Sequence, residues 1–207
     1  MLKLTLDTNC IVALDENREP AANSLRRLLA AHAAGTAQLR LVANSASERQ
    51  RTGPYLENFS QFQQRLADLH LDHLEILRPP ATLDVAYLDQ MVLLGDDELL
   101  LLERIHTALF PTHPFELQNA INAAPPGSDP EAIERKWRNR RLDAEAMWCH
   151  IHYKGDVFVT TDDNFFKETK KPQLAALGAP LILTPSQAEA HVQQDGPNTS
   201  WDLDLST

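Results

Sequence analysis

The sequence is poor in several features that define particular classes of protein. Among 207 residues there are only two cysteines, Cys10 and Cys149, which is too few for a disulfide scaffold or a zinc ribbon. We expect both to be small buried residues, which indicates a reducing compartment and a cytoplasmic location. No apolar run reaches the roughly 18 residues of a membrane-spanning helix. The segment from Met1 to Asp7, with one lysine and an early aspartate, is not typical of a signal peptide.

Positive charge is also scarce, since 19 Lys and Arg residues are outnumbered by 29 Asp and Glu residues and the formal net charge is -10. A chain with this balance has no general attraction for nucleic acid, which is a dense line of negative charge. A local concentration of basic residues can still overcome the repulsion. Five of the 19 basic residues form such a stretch: Arg135, Lys136, Arg138, Arg140 and Arg141.

This basic stretch has Trp137 among its members. An arginine-rich patch with an interleaved aromatic ring can hold phosphates and stack a base. The alternative is a solvated helix face that Glu131 and Glu134 neutralise. If the stretch binds nucleic acid, Arg49 and Arg51 would extend it.

The pattern of apolar residues predicts strands that alternate with helices. Strands are expected at 2–6, 39–43, 76–77, 156–160 and 181–184. Helices are expected at 20–34, from about 44 or 45, at 58–72, at 82–94, from a cap at Asp96, and at 130–154. Strands alternating with helices predict an α/β fold with a mainly parallel sheet.

The length suits one fairly large domain. We expect a single domain over residues 1–193, with a helical and loop insertion at about 79–130, and a disordered tail at 194–207. Five prolines at 111–130 predict a long surface loop within the insertion. A final helical turn is expected from Pro185.

Acidic side chains follow two of the predicted strands at the point where each strand ends. Asp7 ends the first strand, and Asp162 follows the strand at 156–160. In an open α/β sheet, ligands bind beyond the carboxyl ends of the strands. Carboxylate oxygens suit Mg²⁺ or Mn²⁺ better than they suit zinc. The two acids therefore predict a site for one of these ions.

Two further acids lie on predicted helices near the same edge of the sheet. Asp143 stands in mid-helix, where aspartate is a weak helix former. Its helical face is mostly polar, which predicts that it faces water or a wet cleft: Lys136, Asn139, Arg140 and Met147. Glu48 lies in the first turn of the helix after the second strand.

Each of these acids also has a purely structural alternative. Asp7 could be a helix N-cap, and Asp143 could be a solvated helix residue. A serine three positions earlier gives Glu48 the spacing of a capping box, in which it reaches back to its own helix start. Asp162 competes with Asp163, although the Thr-x-Asp spacing favours Asp162.

Four segments of the sequence resemble the PIN-domain family. Leu4-Thr5-Leu6-Asp7-Thr8-Asn9 resembles the family's opening strand with its Asp-Thr/Ser-Asn/Ser turn. Residues 141–146 resemble the helix that carries the third acid. Residues 155–165 resemble the closing Gly-x-x-hydrophobic-hydrophobic-Thr-x-Asp-x-Asp/Asn-Phe segment, and residues 183–185 are similar to the usual last strand and turn.

The resemblance implies a PIN-like three-layer α/β/α fold and a Mg²⁺- or Mn²⁺-dependent endoribonuclease. It implies a catalytic and metal-binding set of four acids, namely Asp7, Glu48, Asp143 and Asp162. It implies supporting or substrate-orienting roles for Asn9 and Asn164, and it implies that Thr160 helps to hold Asp162. Contacts to the RNA substrate would then come from Arg49, Lys136, Arg138, Arg140 and Arg141.

Partners are also implied by the resemblance. Many small members of the family are VapC-type toxins that pair with an antitoxin protein, and the family suggests a homodimer. This chain is longer than they are, and its insertion at about 79–130 departs from their pattern.

Two other functions remain open. One is a catalytically weak PIN-like module that binds RNA or protein, although four converging carboxylates would repel one another without a cation. The other is a phosphatase of the haloacid dehalogenase type. Such an enzyme would need a second aspartate where Asn9 stands.

Overall fold

The computed structural model describes residues 1–43, 59–81 and 91–195. Several of the sequence predictions fall outside these ranges and remain predictions. They are the helix from about 44 or 45, the metal ligand Glu48, the RNA contacts Arg49 and Arg51, most of the helix at 82–94, and most of the tail at 194–207.

Five strands of the described chain form one sheet. They are β1 (Leu2–Leu6), β2 (Ala37–Val42), β3 (Glu75–Leu77), β4 (Val157–Val159) and β5 (Ile182–Leu183). Their order across the sheet is β3-β2-β1-β4-β5, and every neighbouring pair is parallel. In register, Leu4 of β1 lies between Leu39 and Val157, and all three are fully buried. The predicted α/β class with a parallel sheet is confirmed.

Eight α-helices of the described chain flank the sheet. They are α1 (Thr8–Asp15), α2 (Ala21–Ala33), α3 (Phe59–Asp68), α4 (Asp96–Leu109), α5 (Leu117–Asn122), α6 (Pro130–His152), α7 (Lys171–Leu177) and α8 (Pro185–Asp195). A short 3-10 turn, Asp163–Phe166, follows β4. None of these described helices is long and apolar enough to cross a membrane.

The sheet separates two apolar cores, which makes a three-layer α/β/α arrangement. Side chains of a strand alternate between its two faces, so Val157 and Val159 of β4 enter one core and Phe158 enters the other. The first core contains residues of α1, α2, α3 and α8, and the second contains residues of α4, α6 and α7. Full burial of a side chain such as Phe158 contributes roughly 2–3 kcal/mol, so each core holds its helices against the sheet.

The prediction of two buried cysteines is confirmed, and two element ends agree with their local sequence. Cys10 and Cys149 are buried free thiols, one in each core. Strand β3 ends at Leu77, directly before Arg78-Pro79-Pro80. Gly35 follows the end of α2 with φ 73, which is the left-handed conformation that favours glycine after a helix.

The region between β3 and α6 differs from its prediction. Residues 91–94 are not helical, and Val92 instead forms an isolated bridge with Pro80. Asp96 is the first residue of α4 rather than its cap. The expected long loop at 111–130 contains α5, which packs against α6. Because α5 has six residues and buries none of them, it leaves no periodic apolar pattern in the sequence.

The C-terminal part contains more helix than the sequence pattern predicts. Helix α7 is not predicted because Leu174 is the one buried residue in its seven, too few for a periodic pattern. Helix α8 extends from Pro185 to Asp195, well beyond a single turn, because it packs along α2. The first two residues of the predicted disordered tail, 194 and 195, are therefore helical.

The strand order locates the candidate site. The chain adds β2 and β3 on one side of β1, and then crosses over to add β4 and β5 on the other side. The order therefore reverses between β1 and β4, and a crevice opens beyond the carboxyl ends of the strands at such a point. A hydrogen bond of 2.9 Å from the backbone N–H of Asp7 to the carbonyl of Val159 joins these two strand ends.

Candidate active site

Asp7 lies where β1 passes into α1, and its carboxylate is almost completely enclosed. The residue is 2% exposed and caps the N-terminus of α1, with Oδ1 accepting a hydrogen bond of 2.8 Å from the backbone N–H of Thr8. Its Oδ2 accepts one hydrogen bond of 2.6 Å from Thr160 Oγ1 and another of 3.2 Å from Asn9 Nδ2. The capping alternative is thus correct as far as it goes, but it accounts for one of these three bonds.

This environment makes Asp7 a weaker acid than usual. Burial raises the pKa of its carboxyl to about 6, assisted by the charge of Asp162 and opposed by the hydrogen bonds from Thr160, Thr8 and Asn9. The ionised form of Asp7 is therefore destabilised in the folded protein, and a nearby cation would stabilise it. Such shifts are typical of carboxylates in functional sites.

Asp162 lies just beyond β4 and begins the 3-10 turn. Its Oδ1 accepts a hydrogen bond of 2.8 Å from the backbone N–H of Asn164. Its Oδ2 accepts no hydrogen bond from the residues that the structure describes, so this oxygen is open to a ligand. The neighbouring Asp163 is exposed to solvent, which agrees with the preference for Asp162 as the site residue.

A single buried hydroxyl connects the two aspartates. Thr160 is completely buried, and its Oγ1 donates to Asp7 Oδ2 while it accepts the backbone N–H of Asp162 at 3.0 Å. The sequence predicts that Thr160 helps to hold Asp162, and this contact exists. Its shorter bond to Asp7 is an additional role that the motif alone does not reveal.

Asp143 is half-buried on α6. The charges of Asp143 and Asp162 both act on the ammonium group of Lys170. Burial lowers the pKa of Lys170, Lys167 lowers it further, and the charges of Asp162 and Asp143 oppose both effects. The two carboxylates therefore lie within electrostatic range of the same cation. Asp7 is in turn within electrostatic range of Asp162, so Asp162 is the acid that these effects relate both to Asp7 and to Lys170.

The helix face of Asp143 is wet only in its first half. Lys136 and Asn139 are exposed and Arg140 is half-buried. Met147, one turn beyond Asp143, is completely buried in the second core. The expectation of a wet cleft therefore holds on the N-terminal side of the acid and is wrong on the other side, where α6 turns into the core.

Lys170 is the site residue that the sequence predictions miss. It is 8% exposed, its Nζ donates hydrogen bonds to the carbonyl of Leu109 and to Asn164 Oδ1, and it lies 5.3 Å from the centre of the Phe110 ring. It connects the turn after Asp162 to the C-terminus of α4. In the sequence it stands among other lysines, a pattern that is typical of a solvated segment.

Asn9 and Asn164 both lie beside the acids, as the resemblance implies. The amide of Asn9 donates to Asp7. The side chain of Asn164 accepts from Lys170, and its backbone N–H is the partner of Asp162. Both asparagines therefore support the acid site through hydrogen bonds.

Two members of the basic stretch are not available to a ligand. Trp137 is buried and its Nε1 donates to the carbonyl of Phe115 at 2.9 Å. The ring is therefore not accessible to a base, and the prediction that it stacks on one is wrong. Arg141 is also buried; it forms an ion pair of 3.1 Å with Glu145 and covers the Phe115 ring. An RNA contact from Arg141 is therefore not supported, because the segment after α4 lies over this face of α6.

The rest of the basic stretch is accessible to different degrees. Lys136 is exposed and Arg138 is half-buried. Arg138 forms an ion pair of 3.5 Å with Glu134, as the solvated-face alternative expects. Arg140 is half-buried, and burial lowers the pKa of its guanidinium.

The described residues satisfy the requirements of a magnesium site only in part. Among them, no three His, Cys, Asp or Glu side chains come together as a group that could hold a metal ion. Mg²⁺ usually keeps several waters and is bound through one or two protein carboxylates together with substrate phosphates. Asp162 offers one open oxygen and Asp7 retains lone-pair capacity on Oδ1, so these two acids fit such a site. The remaining predicted ligand, Glu48, lies outside the described residues.

Comparisons with known protein families and with curated proteins found no match. No model of a known protein family matches the chain, and no curated protein matches it either. The PIN-domain resemblance therefore depends on the sequence motifs alone.

Proposed function

We propose that this protein is a metal-dependent endoribonuclease of the PIN-domain kind, which hydrolyses phosphodiester bonds of RNA. The observation that carries the proposal is the pair Asp7 and Asp162 at the carboxyl ends of two adjacent strands, joined by the hydroxyl of Thr160. The pair lies where the strand order reverses, which is the usual place for a ligand in this class of fold.

Under this proposal Asp7 and Asp162 hold Mg²⁺ or Mn²⁺ with Asp143, and Glu48 is the fourth acid by sequence motif. When bound, the ion supplies positive charge at a phosphoryl oxygen and makes a water molecule more acidic. The chain's own contribution is to hold the acids apart and oriented. Thr160 and Asn9 secure one oxygen of Asp7, and the 3-10 turn secures one oxygen of Asp162.

The burial of the site also strengthens the electrostatic interactions between its carboxylates and a bound cation. Electrostatic interactions are stronger where water is excluded, and Asp7 and Thr160 are almost completely buried. The half-buried Asp162 and Asp143 form the wetter side of the site, from which RNA would approach. The toxin role, the antitoxin partner and the homodimer stay predictions from the sequence resemblance.

The proposal is tested by cleavage of mixed cellular RNA in Mg²⁺ or Mn²⁺. We expect Asp7→Asn and Asp162→Asn each to lower the cleavage rate on the order of 100-fold or more, because both acids would act directly on the ion and the water. Asp163→Asn is the matched control, since Asp163 is the exposed neighbour of Asp162. It should retain the wild-type rate.

The alternative of a catalytically weak binding module has a different outcome in the same assay. Such a module would bind RNA, but it would cleave no faster than either variant. Cleavage that is equal in the wild type and both variants would contradict the site assignment.

A further inference from the structure

Arg140 is a half-buried guanidinium that has no hydrogen bond or ion pair with any part of the chain that the structure describes. Its neighbours on α6 differ in this respect, because Arg138 pairs with Glu134 and Arg141 pairs with Glu145. A guanidinium carries five N–H donors and is always charged. Partial burial without a partner is costly for such a group, so Arg140 is suited to an anion that comes from outside the chain.

Two other nitrogen-bearing side chains surround Arg140. The charges of Arg140 and Lys170 both lower the pKa of His113, in addition to the effect of its partial burial. The three side chains therefore lie within electrostatic range of one another, although they come from α6, from the segment after α4 and from the residue before α7. No carboxylate contributes to the pKa shift of His113, whereas Asp143 and Asp162 both act on Lys170.

Described contacts hold the segment that carries His113 between Lys170 and α6. The backbone N–H of His113 bonds to the carbonyl of Phe110 at 2.9 Å, and the ring of Phe110 lies 5.3 Å from Lys170 Nζ. The other end of this segment is attached to α6, because Trp137 donates to the carbonyl of Phe115. The segment that carries His113 is thus fastened between Lys170 and the helix of Arg140.

This group of three residues adjoins the acid site. Arg140 precedes Asp143 by three residues on α6, so their side chains lie on the same helix face. Lys170 is within electrostatic range of both Asp143 and Asp162. Two of its three N–H donors are used within the protein, by Leu109 and Asn164, which leaves one for a ligand.

We propose that Arg140, His113 and Lys170 form a subsite that binds a backbone phosphate of the RNA strand next to the phosphate at the acid site. The proposal rests on the proposed function for its choice of RNA. A guanidinium can bind a phosphate through two parallel hydrogen bonds, while a lysine acts as a point charge. The subsite would also give a chain of net charge -10 a local attraction for a nucleic-acid strand.

The test measures binding without catalysis. A labelled single-stranded RNA oligonucleotide is titrated with protein in EDTA, and fluorescence anisotropy gives Kd at several salt concentrations. We expect Arg140→Met to raise Kd by about tenfold or more, since it removes charge-assisted hydrogen bonds. The slope of log K against log salt should fall by about 0.7, the value for one lost contact to a single strand.

Arg104→Met is the matched control, because Arg104 is an exposed arginine on α4 that lies outside the basic stretch. It makes the same change of charge, so its Kd should stay within about twofold of the wild type. His113→Ala is the second variant, at an exposed position that can lose its side chain without loss of the fold. It should weaken binding in the same direction as Arg140→Met. Equal Kd values for Arg140→Met and Arg104→Met in folded protein would overturn the proposal.

A competition arm distinguishes a strand from a free anion. Inorganic phosphate should displace the RNA oligonucleotide only at concentrations far above that of the RNA. Displacement at equal concentrations would overturn the strand claim, as would an acidic peptide that binds more tightly than RNA and depends on Arg140.

The binding assay also separates the two proposals. Loss of RNA binding in Arg140→Met, with no cleavage by the wild type in any metal, supports the subsite and contradicts the nuclease. Cleavage that depends on Asp7, with Arg140→Met unchanged in Kd, contradicts the subsite alone.

Discussion

Replacing Asp7 by asparagine tests whether this carboxylate is held for a cation or serves only as a helix cap. Its pKa of about 6, against an ordinary value of 3.8, means that ionised Asp7 lowers the stability of the metal-free fold by about 3 kcal/mol at neutral pH. Asparagine removes the charge and is an equally good N-cap. It loses about 1 kcal/mol because the oxygen that accepts from Thr160 becomes an amide. The variant should therefore be more stable by about 2 kcal/mol, or about 4–8 °C in Tm.

The stability difference between the Asp7→Asn variant and the wild type should change with pH in one direction. Well below pH 3.8 the carboxyl is protonated in both the folded and the unfolded wild type, so the charge contributes nothing. Between pH 3.8 and about 6 the unfolded carboxyl ionises while the folded carboxyl stays protonated. The wild type therefore loses stability relative to the variant as the pH rises through this window, and above it the difference is constant.

Urea unfolding in EDTA at several pH values from 4 to 8 measures this difference, and thermal unfolding at neutral pH is then compared without EDTA, in the absence and presence of Mn²⁺. The ion should raise the Tm of the wild type and have little effect on the variant, because a ligand stabilises only the state that binds it. A variant that is less stable than the wild type at pH 7, with a pH-independent difference and the same response to Mn²⁺, would refute the reasoning. Asp7 would then be a cap alone.

Three further substitutions test the surroundings of the site. Thr160→Val keeps the shape of the side chain but removes the hydroxyl between the acids, so the rate of RNA cleavage should fall about 10–100-fold. Thr160→Ser retains the hydroxyl and should retain the rate. Equal rates in the two variants would contradict the linking role of Thr160. Glu145→Ala removes the carboxylate that pairs with the buried Arg141 and should cost about 3–5 kcal/mol in urea unfolding, which the double variant Arg141→Met with Glu145→Leu should largely recover. Gly155→Ala would place a methyl carbon 2.2 Å from His150 Nδ1, and unfolding should show a loss of about 1–3 kcal/mol; an unchanged midpoint would mean that the imidazole moves freely.

Much of the fold follows from local pattern. Strands β1 and β4 are apolar runs that end at polar turns, and α6 begins at Pro130 behind an aspartate cap, which is a strong start signal. These signals are local, so they predict where each element begins and ends. Short helices that bury few side chains, such as α5 and α7, carry no such signal.

The sequence by itself also determined that Asp7 and Asp162 stand at strand ends, because the change from apolar to polar residues marks those ends. Only the tertiary structure decided that the two ends are neighbours. Strands β1 and β4 are separated by most of the chain, and their pairing depends on the order in which the sheet is assembled. The shared hydroxyl of Thr160 is a consequence of that pairing.

The basic residues show the same division. In the sequence Arg140 and Arg141 are adjacent and equivalent, and Lys170 resembles any surface lysine. Burial depends on which distant segment covers a side chain. The segment after α4 covers Arg141 and places the Phe110 ring beside Lys170, and it leaves Arg140 without a described partner. Local periodicity encodes the face of a helix but not what packs against it, so the availability of these charges was decided by the tertiary structure.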